Sequence, residues 1–147
     1  MLSVKLEGFD GLEKKLLGLE RKTAKKIIRK ATRKATKPAL MQARQNARSM
    51  VGGTMGQLLS KSLQVRAFKK QKKGSFGVTM KIKPDISEFV HIGKDGTHYY
   101  IPAAIEYGHD NAAAIPFMRN AAITTKQKST AILSKEIKAG IRALAKR

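Results

Sequence analysis

A chain without cysteine would do acid–base or metal chemistry through histidine, aspartate and glutamate, and this one has few of them. Its three histidines are His91, His98 and His109. His91 and His98 lie on the two arms of a predicted hairpin, but no third ligand completes a metal site, and a polar strand position is the simpler reading. Glu106, His109 and Asp110 put three polar groups within five residues. Their order is wrong for HExxH, in which two histidines share one face of a helix, and Gly108 interrupts any helix between them. Glu106 reads better as a structural group, an N-cap or a partner for one of the many cations. Pro84-Asp85 and Glu136-Ile137-Lys138 have the residue types of a PD…ExK nuclease set. That chemistry needs the ExK on a strand beside the Asp, whereas here it falls in a predicted helix about fifty residues away. No Gly-rich phosphate loop follows a predicted strand. The expectation is a protein that is not an enzyme, with no catalytic, metal or cofactor-binding residues.

The strongest chemical signal is charge. Between Arg21 and Lys37 the sequence RKTAKKIIRKATRKATK holds nine cations and no acid: Arg21, Lys22, Lys25, Lys26, Arg29, Lys30, Arg33, Lys34 and Lys37. Their four-residue step keeps them on one slowly drifting side of a helix. Ala24, Ile27, Ile28, Ala31 and Ala35 form a narrow face of mostly small residues between them, against which another backbone can come close. Like charges four apart repel by a few tenths of a kcal/mol per pair, so the helix must gain its stability by docking. A second basic cluster, Lys69, Lys70, Lys72 and Lys73, occupies a predicted hairpin tip. Base-specific reading fits poorly: the cationic face has no Asn or Gln for base edges and no aromatics for stacking. Contact with nucleic acid would be to phosphates, independent of sequence and sensitive to salt. An acidic protein surface is the other class of partner, and a simply solvated face is the bland reading.

The charge is uneven. The formal net charge is +21, of which residues 1–83 carry +18 and residues 84–147 only +3. Such a field favours polyanionic partners and opposes self-association unless it faces a counter-charge. With 147 residues, 41% hydrophobic, one domain spanning 1–147 is expected, with a modest core. The absence of Cys removes disulfides, thiolate metal sites and Cys nucleophiles, and fits assembly inside a cell. No apolar run reaches the length of a membrane span, and the first residues lack the order of a signal peptide. A membrane-surface helix is disfavoured because the apolar face of 21–37 lacks Trp, Phe and Leu.

Around these residues the patterning predicts the following order. Residues 2–7 alternate as a short strand, and Asp10 caps a helix with Leu12, Leu16, Leu17 and Leu19 at helical spacing. Helix continues, with a break near Gly18 and a kink or restart at Pro38, to about Ser49. VGGTMGQ, residues 51–57, reads as a loop. Residues 62–68 and 75–83 read as paired strands; Phe76, Val78, Met80 and Ile82 alternate with polar or small residues. Residues 87–92 and 97–101 flank an Asp-Gly turn, a strong hairpin signal. Short helical or irregular pieces at 102–108 and 116–123 precede a last helix from about Thr125 to Ala145. The fold class is α+β: an antiparallel sheet of hairpins packed against a long basic N-terminal helix and a C-terminal helix.

Two segments are familiar in kind. One is Glu7-Gly8-Phe9 with leucines at 12, 16 and 19, leading into a long Ala- and Lys-rich helix. The other is IPAAIEYGHDNAAAIPFMRNA, residues 101–121. It contains Glu106, Tyr107 and Gly108, then Pro116, Phe117, Met118, Arg119 and Ala121, and a long helix follows. The order resembles the small neck and tail-completion proteins of long-tailed, lambdoid-type bacteriophages, including minor tail proteins of the lambda Z type, with their E-[FY]-G and P-F-[LM]-R-x-A elements. Gly56-Gln57-Leu58 and Ser62 stand where the family has T-G-x-L-x-x-S, with Met55 in place of its Thr.

The resemblance implies a structural virion protein without catalytic residues. It implies a ring of copies at the head–tail junction or tail end, assembled in the host bacterial cytoplasm with other neck, connector and tail proteins. In that setting residues 106–108 and 116–119 become a subunit-interface or family motif. The apolar loop DNAAAI would be useful at a subunit contact, and Phe117 reads as ordinary core. The basic face and the 69–73 tip would dock onto negative surface in the particle, with channel DNA as one candidate. A pairing of Arg119 with Glu106 would fix the loop between them; Arg119→Ala and Glu106→Ala would then cost alike, with little extra loss in the double variant. The rival is a free, sequence-independent nucleic-acid-binding protein using the 21–37 helix. It explains the charge and leaves residues 101–121 without a role.

Overall fold

The computed structural model describes residues 18–67, 77–83 and 86–145, together with Gly11 and Lys15. The strand expected at 2–7, most of the leucine helix and the basic tip at 69–73 lie outside the described residues. The fold is α+β and mostly helical, with two small antiparallel hairpin sheets. Helix α1 spans Arg21–Asn46 and passes through Pro38; a five-residue π-helical stretch, Ala47–Val51, carries it on. Helix α2 spans Gly53–Ser62 and runs directly into strand β1, Leu63–Ala67, which pairs with β2, Val78–Ile82. A 3-10 turn at Ser87–Phe89 leads into the hairpin of β3, Val90–Ile92, and β4, His98–Tyr100. Helices α3, Ile101–Tyr107, and α4, Phe117–Ala145, complete the order.

Three sequence expectations need correction. Pro38 does not restart α1: the helix runs through it as one element, although proline's missing N–H removes one bond of its ladder. Residues 51–57 are not a loop throughout. The reversal is confined to Gly52 and Gly53, both at positive φ (72° and 56°), and α2 begins at once. The fragment at 116–123 and the last helix are one continuous helix of 29 residues, since nothing between Phe117 and Ala145 breaks it.

The described residues form two compact units, 1–38 with 65–79 and 125–147, and 39–64 with 80–124. In the first, Ala31 and Ala35 of α1 are buried with Leu133 and Ile137 of α4, flanked by Ile132 and Ile141. The small face of α1 lets the helices approach closely. A side chain at Gly140 would meet the Ile27 side chain at 2.7 Å. Lys34 Nζ donates to both carboxylate oxygens of Glu136 at 2.8 Å. With both partners partly solvated, the pair contributes at most about 1 kcal/mol.

In the second unit residues four apart meet in one core: Ala43 of α1 and Ala47 of its π-helical extension, Leu59 of α2 and Leu63 of β1, and Phe117 and Ala121 of α4, with Phe89 among them. The α1–α2 corner is held by backbone contact. The Gly52 N–H donates to Ala47 O at 3.2 Å, Gly56 N–H donates to Gly52 O at 2.8 Å, and a Cβ on Gly56 would stand 2.4 Å from Ala47 O. Gly56→Ala is therefore expected to destabilise the chain by about 1–3 kcal/mol, since a backbone carbonyl must move. A thermal melt of the variant checks this, and an unchanged midpoint would mean the corner relaxes freely. Arg44 Nη2 donates to Leu63 O and Arg48 Nε to Ser60 Oγ, so these two cations tie α1 to the end of α2 rather than meeting a partner outside.

Candidate functional site

The cationic face survives folding. Lys22, Lys25, Lys26, Arg29, Lys30, Arg33, Lys34 and Lys37 are all exposed on α1, while Ala31 and Ala35 on its other side are buried. Arg21 opens the helix. Between Lys22 and Lys37 the face has no acid of its own, and Glu136 of α4 pairs with Lys34. Lys69, Lys70, Lys72 and Lys73 lie outside the described residues. The sequence reading passed over a second set. Lys128, Lys135, Lys138 and Arg142 are exposed and spaced by seven, three and four residues, which places them on one side of α4, away from Leu133 and Ile137. That spacing was visible in the sequence. It carried no weight because these cations are diluted among neutral residues.

The 101–121 motif is structural in its geometry. Pro102 initiates α3, and Glu106 is buried near its end at 6% exposure. The carboxylate accepts the Met118 N–H at 2.9 Å and the Arg119 N–H at 2.8 Å. These are backbone donors of the first turn of α4, which have no partner inside the helix. A negative group there also opposes the positive end of the helix dipole. Glu106 is thus a capping carboxylate supplied from the preceding helix. No ion pair joins it to Arg119: the Arg119 guanidinium lies over the Tyr107 ring, 5.4 Å from its centroid. The expected pairing is replaced by a backbone contact, because the buried carboxylate is filled by the two amides.

Gly108 ends α3 at φ 76°, and a Cβ there would come within 3.0 Å of both Ala114 N and Ala112 O. The loop folds back on it through reciprocal His109 and Ala112 backbone bonds and an Ile115 N–H donated to Ile105 O at 2.7 Å. Phe117 is fully buried, Met118 packs against the same core, and Pro116 is half-buried. Tyr107, Ala112, Ala113 and Ala114 remain exposed.

The histidines separate. His91 stands beside Tyr99, with ring centroids 6.4 Å apart, and the β3–β4 register puts His98 opposite Ile92 on the other face of the hairpin. Among the described residues no three His, Asp or Glu side chains are grouped to hold a metal ion. Glu136 sits mid-helix, paired with Lys34, and not on a strand. Asp95 accepts the Thr97 N–H at 3.0 Å, and this bond lowers its carboxyl pKa while closing the hairpin turn.

Residues 10–93 match the family model HK97-gp10_like, described as "Bacteriophage HK97-gp10, putative tail-component". The match takes in more than half of the chain, from ahead of α1 through β3. The chain belongs to the HK97-gp10-like family. No curated protein and no solved structure matches it. The HK97-gp10-like match includes the cationic helix and the Gly52–Ser62 corner, whereas Glu106, Phe117 and the rest of the 101–121 motif fall beyond it. For this HK97-gp10-like chain the described site is therefore a surface and a scaffold: a cationic helix face, and a capped loop that holds its own shape.

Proposed function

We propose that the chain is a structural subunit of a tailed-phage virion, a neck or tail-completion protein of the lambdoid, Z-like kind, acting in a ring at the head–tail junction. The reading takes residues 1–147 as one domain; α1, α4 and the β1–β2 hairpin each have residues in both compact units. The observation that carries the reading is the α1 face of a tail-component family: a row of exposed cations over buried alanines, with the Glu106 loop spent on capping rather than chemistry. The face and the Lys69–Lys73 tip dock onto negative surface in the particle, either connector and tail proteins or phosphates of channel DNA. A ring multiplies the +21 of each copy, so it assembles on counter-charge rather than free at low salt.

Deleting the gene in its own phage genome and imaging the lysate tests this. Filled heads apart from tails, or tails with defective ends, support it. Normal infectious particles overturn it and leave the free nucleic-acid binder in first place. A finer test reverses charge at three exposed positions, Lys25→Glu, Arg29→Glu and Arg33→Glu together. The variant is expected to keep its fold, because these side chains lie off the buried face, and to be missing from purified particles. Incorporation at the wild-type level would remove the docking role of α1.

A further inference from the structure

Charge and exposed apolar surface are divided between the two compact units. Residues 1–38, 65–79 and 125–147 hold 24 cations against 5 acids, a net +19; residues 39–64 and 80–124 hold 7 against 5, a net +2. All eight exposed large hydrophobic side chains among the described residues, from Met41 to Ile123, belong to the second unit. The described surface of the first unit therefore offers a partner cations and small residues, without a large apolar anchor. Interfaces between proteins are poor in Lys and are anchored by aromatic and other large side chains. Surfaces that bind nucleic acid are more polar and far more positive.

Within the first unit the cations form two rows, one on each helix. Helices α1 and α4 run antiparallel: Gly140 packs against Ile27, and further along α1 Lys34 pairs with Glu136. Each helix turns its contact stripe inward, Ala31 and Ala35 against Leu133 and Ile137. At 3.6 residues per turn, Lys128, Lys135, Lys138 and Arg142 lie within about 40° of the line opposite Leu133, and Lys22, Lys26 and Arg33 within about 40° of the line opposite Ala31. The two rows point away from each other. The α4 row is exposed, with exposed Ala131 and Ala139 between its cations. The one acid of α4, Glu136, is spent on Lys34. A solvated helix face mixes both signs; here Lys135, Lys138 and Arg142 repel at steps of three and four, which a bound anion relieves.

We propose that the α4 row is a second phosphate-binding face, opposed to that of α1, so that one copy of the chain holds two stretches of duplex DNA, one on each side of the α1–α4 pair. Neither row contains an aromatic residue. Unstacked bases therefore find no platform, and the ligand is a duplex gripped through its phosphates, independent of sequence. Each row is about 20 Å long at 1.5 Å per residue and spans about six base pairs. The alanines between the cations let the phosphate chain come close. This rests on the proposed function only in taking the α1 face to meet negative surface; it commits that surface to DNA and adds α4 to it.

A bridging assay on the purified full chain tests it. One short duplex is held on beads, and a second of unrelated sequence is labelled and free. The wild type is expected to carry the label onto the beads and to release it as salt rises. The α4 variant, Lys128→Glu with Lys135→Glu and Arg142→Glu, is expected to keep its helical circular dichroism, to bind the fixed duplex through α1 and to lose the label. The α1 variant, Lys22→Glu with Lys26→Glu and Arg33→Glu, should do the same through α4, and all six changes together should abolish binding. Should charge reversal unfold the chain, Gln at the same positions carries the test. A wild type that binds no duplex, a wild type that binds without bridging, or an α4 variant that bridges like wild type each overturns the second face. So does a wild type that takes polyglutamate in preference to duplex, which would give the row to an acidic protein. Particle imaging reads the virion role separately: normal particles from the deletion beside clean bridging remove only the virion reading, and defective particles beside binding without bridging remove only the second face.

Discussion

Phe117→Ala is expected to lower the stability of the folded chain by about 3–5 kcal/mol, the range for truncating a buried aromatic. Phe117 is fully buried and begins α4 at the centre of a small core. The other large side chains fully buried there are Phe89, Leu59 and Leu63; the rest of the buried cluster is alanine. Alanines on fixed helices cannot swing in to fill a lost ring, so the cavity persists and the cost stays near the top of the range. The backbone at this point is also held, because Asn46 Nδ2 donates to Phe117 O at 3.0 Å, which ties α4 to the end of α1. Urea denaturation followed by far-ultraviolet circular dichroism measures the loss. A change under about 1 kcal/mol would mean that Phe117 serves as an outward anchor for a neighbour and not as core.

Glu106→Ala should cost about 2–4 kcal/mol, because the cap of α4 is lost: two first-turn backbone N–H groups lose a charged acceptor. Glu106→Gln keeps the shape and one acceptor oxygen, so it should recover part of the loss. Arg119→Ala should cost only about 0.5–1 kcal/mol, the worth of an exposed cation over a tyrosine ring. The double variant Glu106→Ala with Arg119→Ala should lose close to the sum, since the two side chains do not meet. Equal single losses with little further loss in the double would restore a Glu106–Arg119 ion pair and contradict the geometry described above. The same denaturation series reads all four variants.

Much of the local structure was legible because it depends on local rules. The cations of α1 repeat every four residues opposite alanines, and a helix with a wet side and a dry side follows from that period alone. The Asp95-Gly96 turn between apolar runs marked the second hairpin, which forms as β3 and β4. The errors came where distant contacts overrule local preference. Gly56 looked like a loop glycine beside Gly52 and Gly53. It is a helical residue whose missing Cβ admits the Ala47 carbonyl, a neighbour nine positions earlier. Pro38 looked like a kink or a restart, and α1 runs through it as one helix.

The candidate surfaces divide the same way. The cationic face could be read directly, since exposure of a lysine opposite alanines needs no knowledge of the fold. The Glu106 cap could be suspected but not placed. Its two donors are twelve and thirteen residues away, and the reversal at Gly108 with the loop bonds that follow it brings them within reach. Charge and period along the chain, by themselves, determined that this protein carries a basic helix and two hairpins. Only the tertiary structure decided that Glu106 caps α4, that Arg119 turns to Tyr107 instead of Glu106, and that every residue of β3 and β4 is exposed. Each of those depends on which side chains meet across the fold, and meeting is a property of packing that no local sequence rule contains.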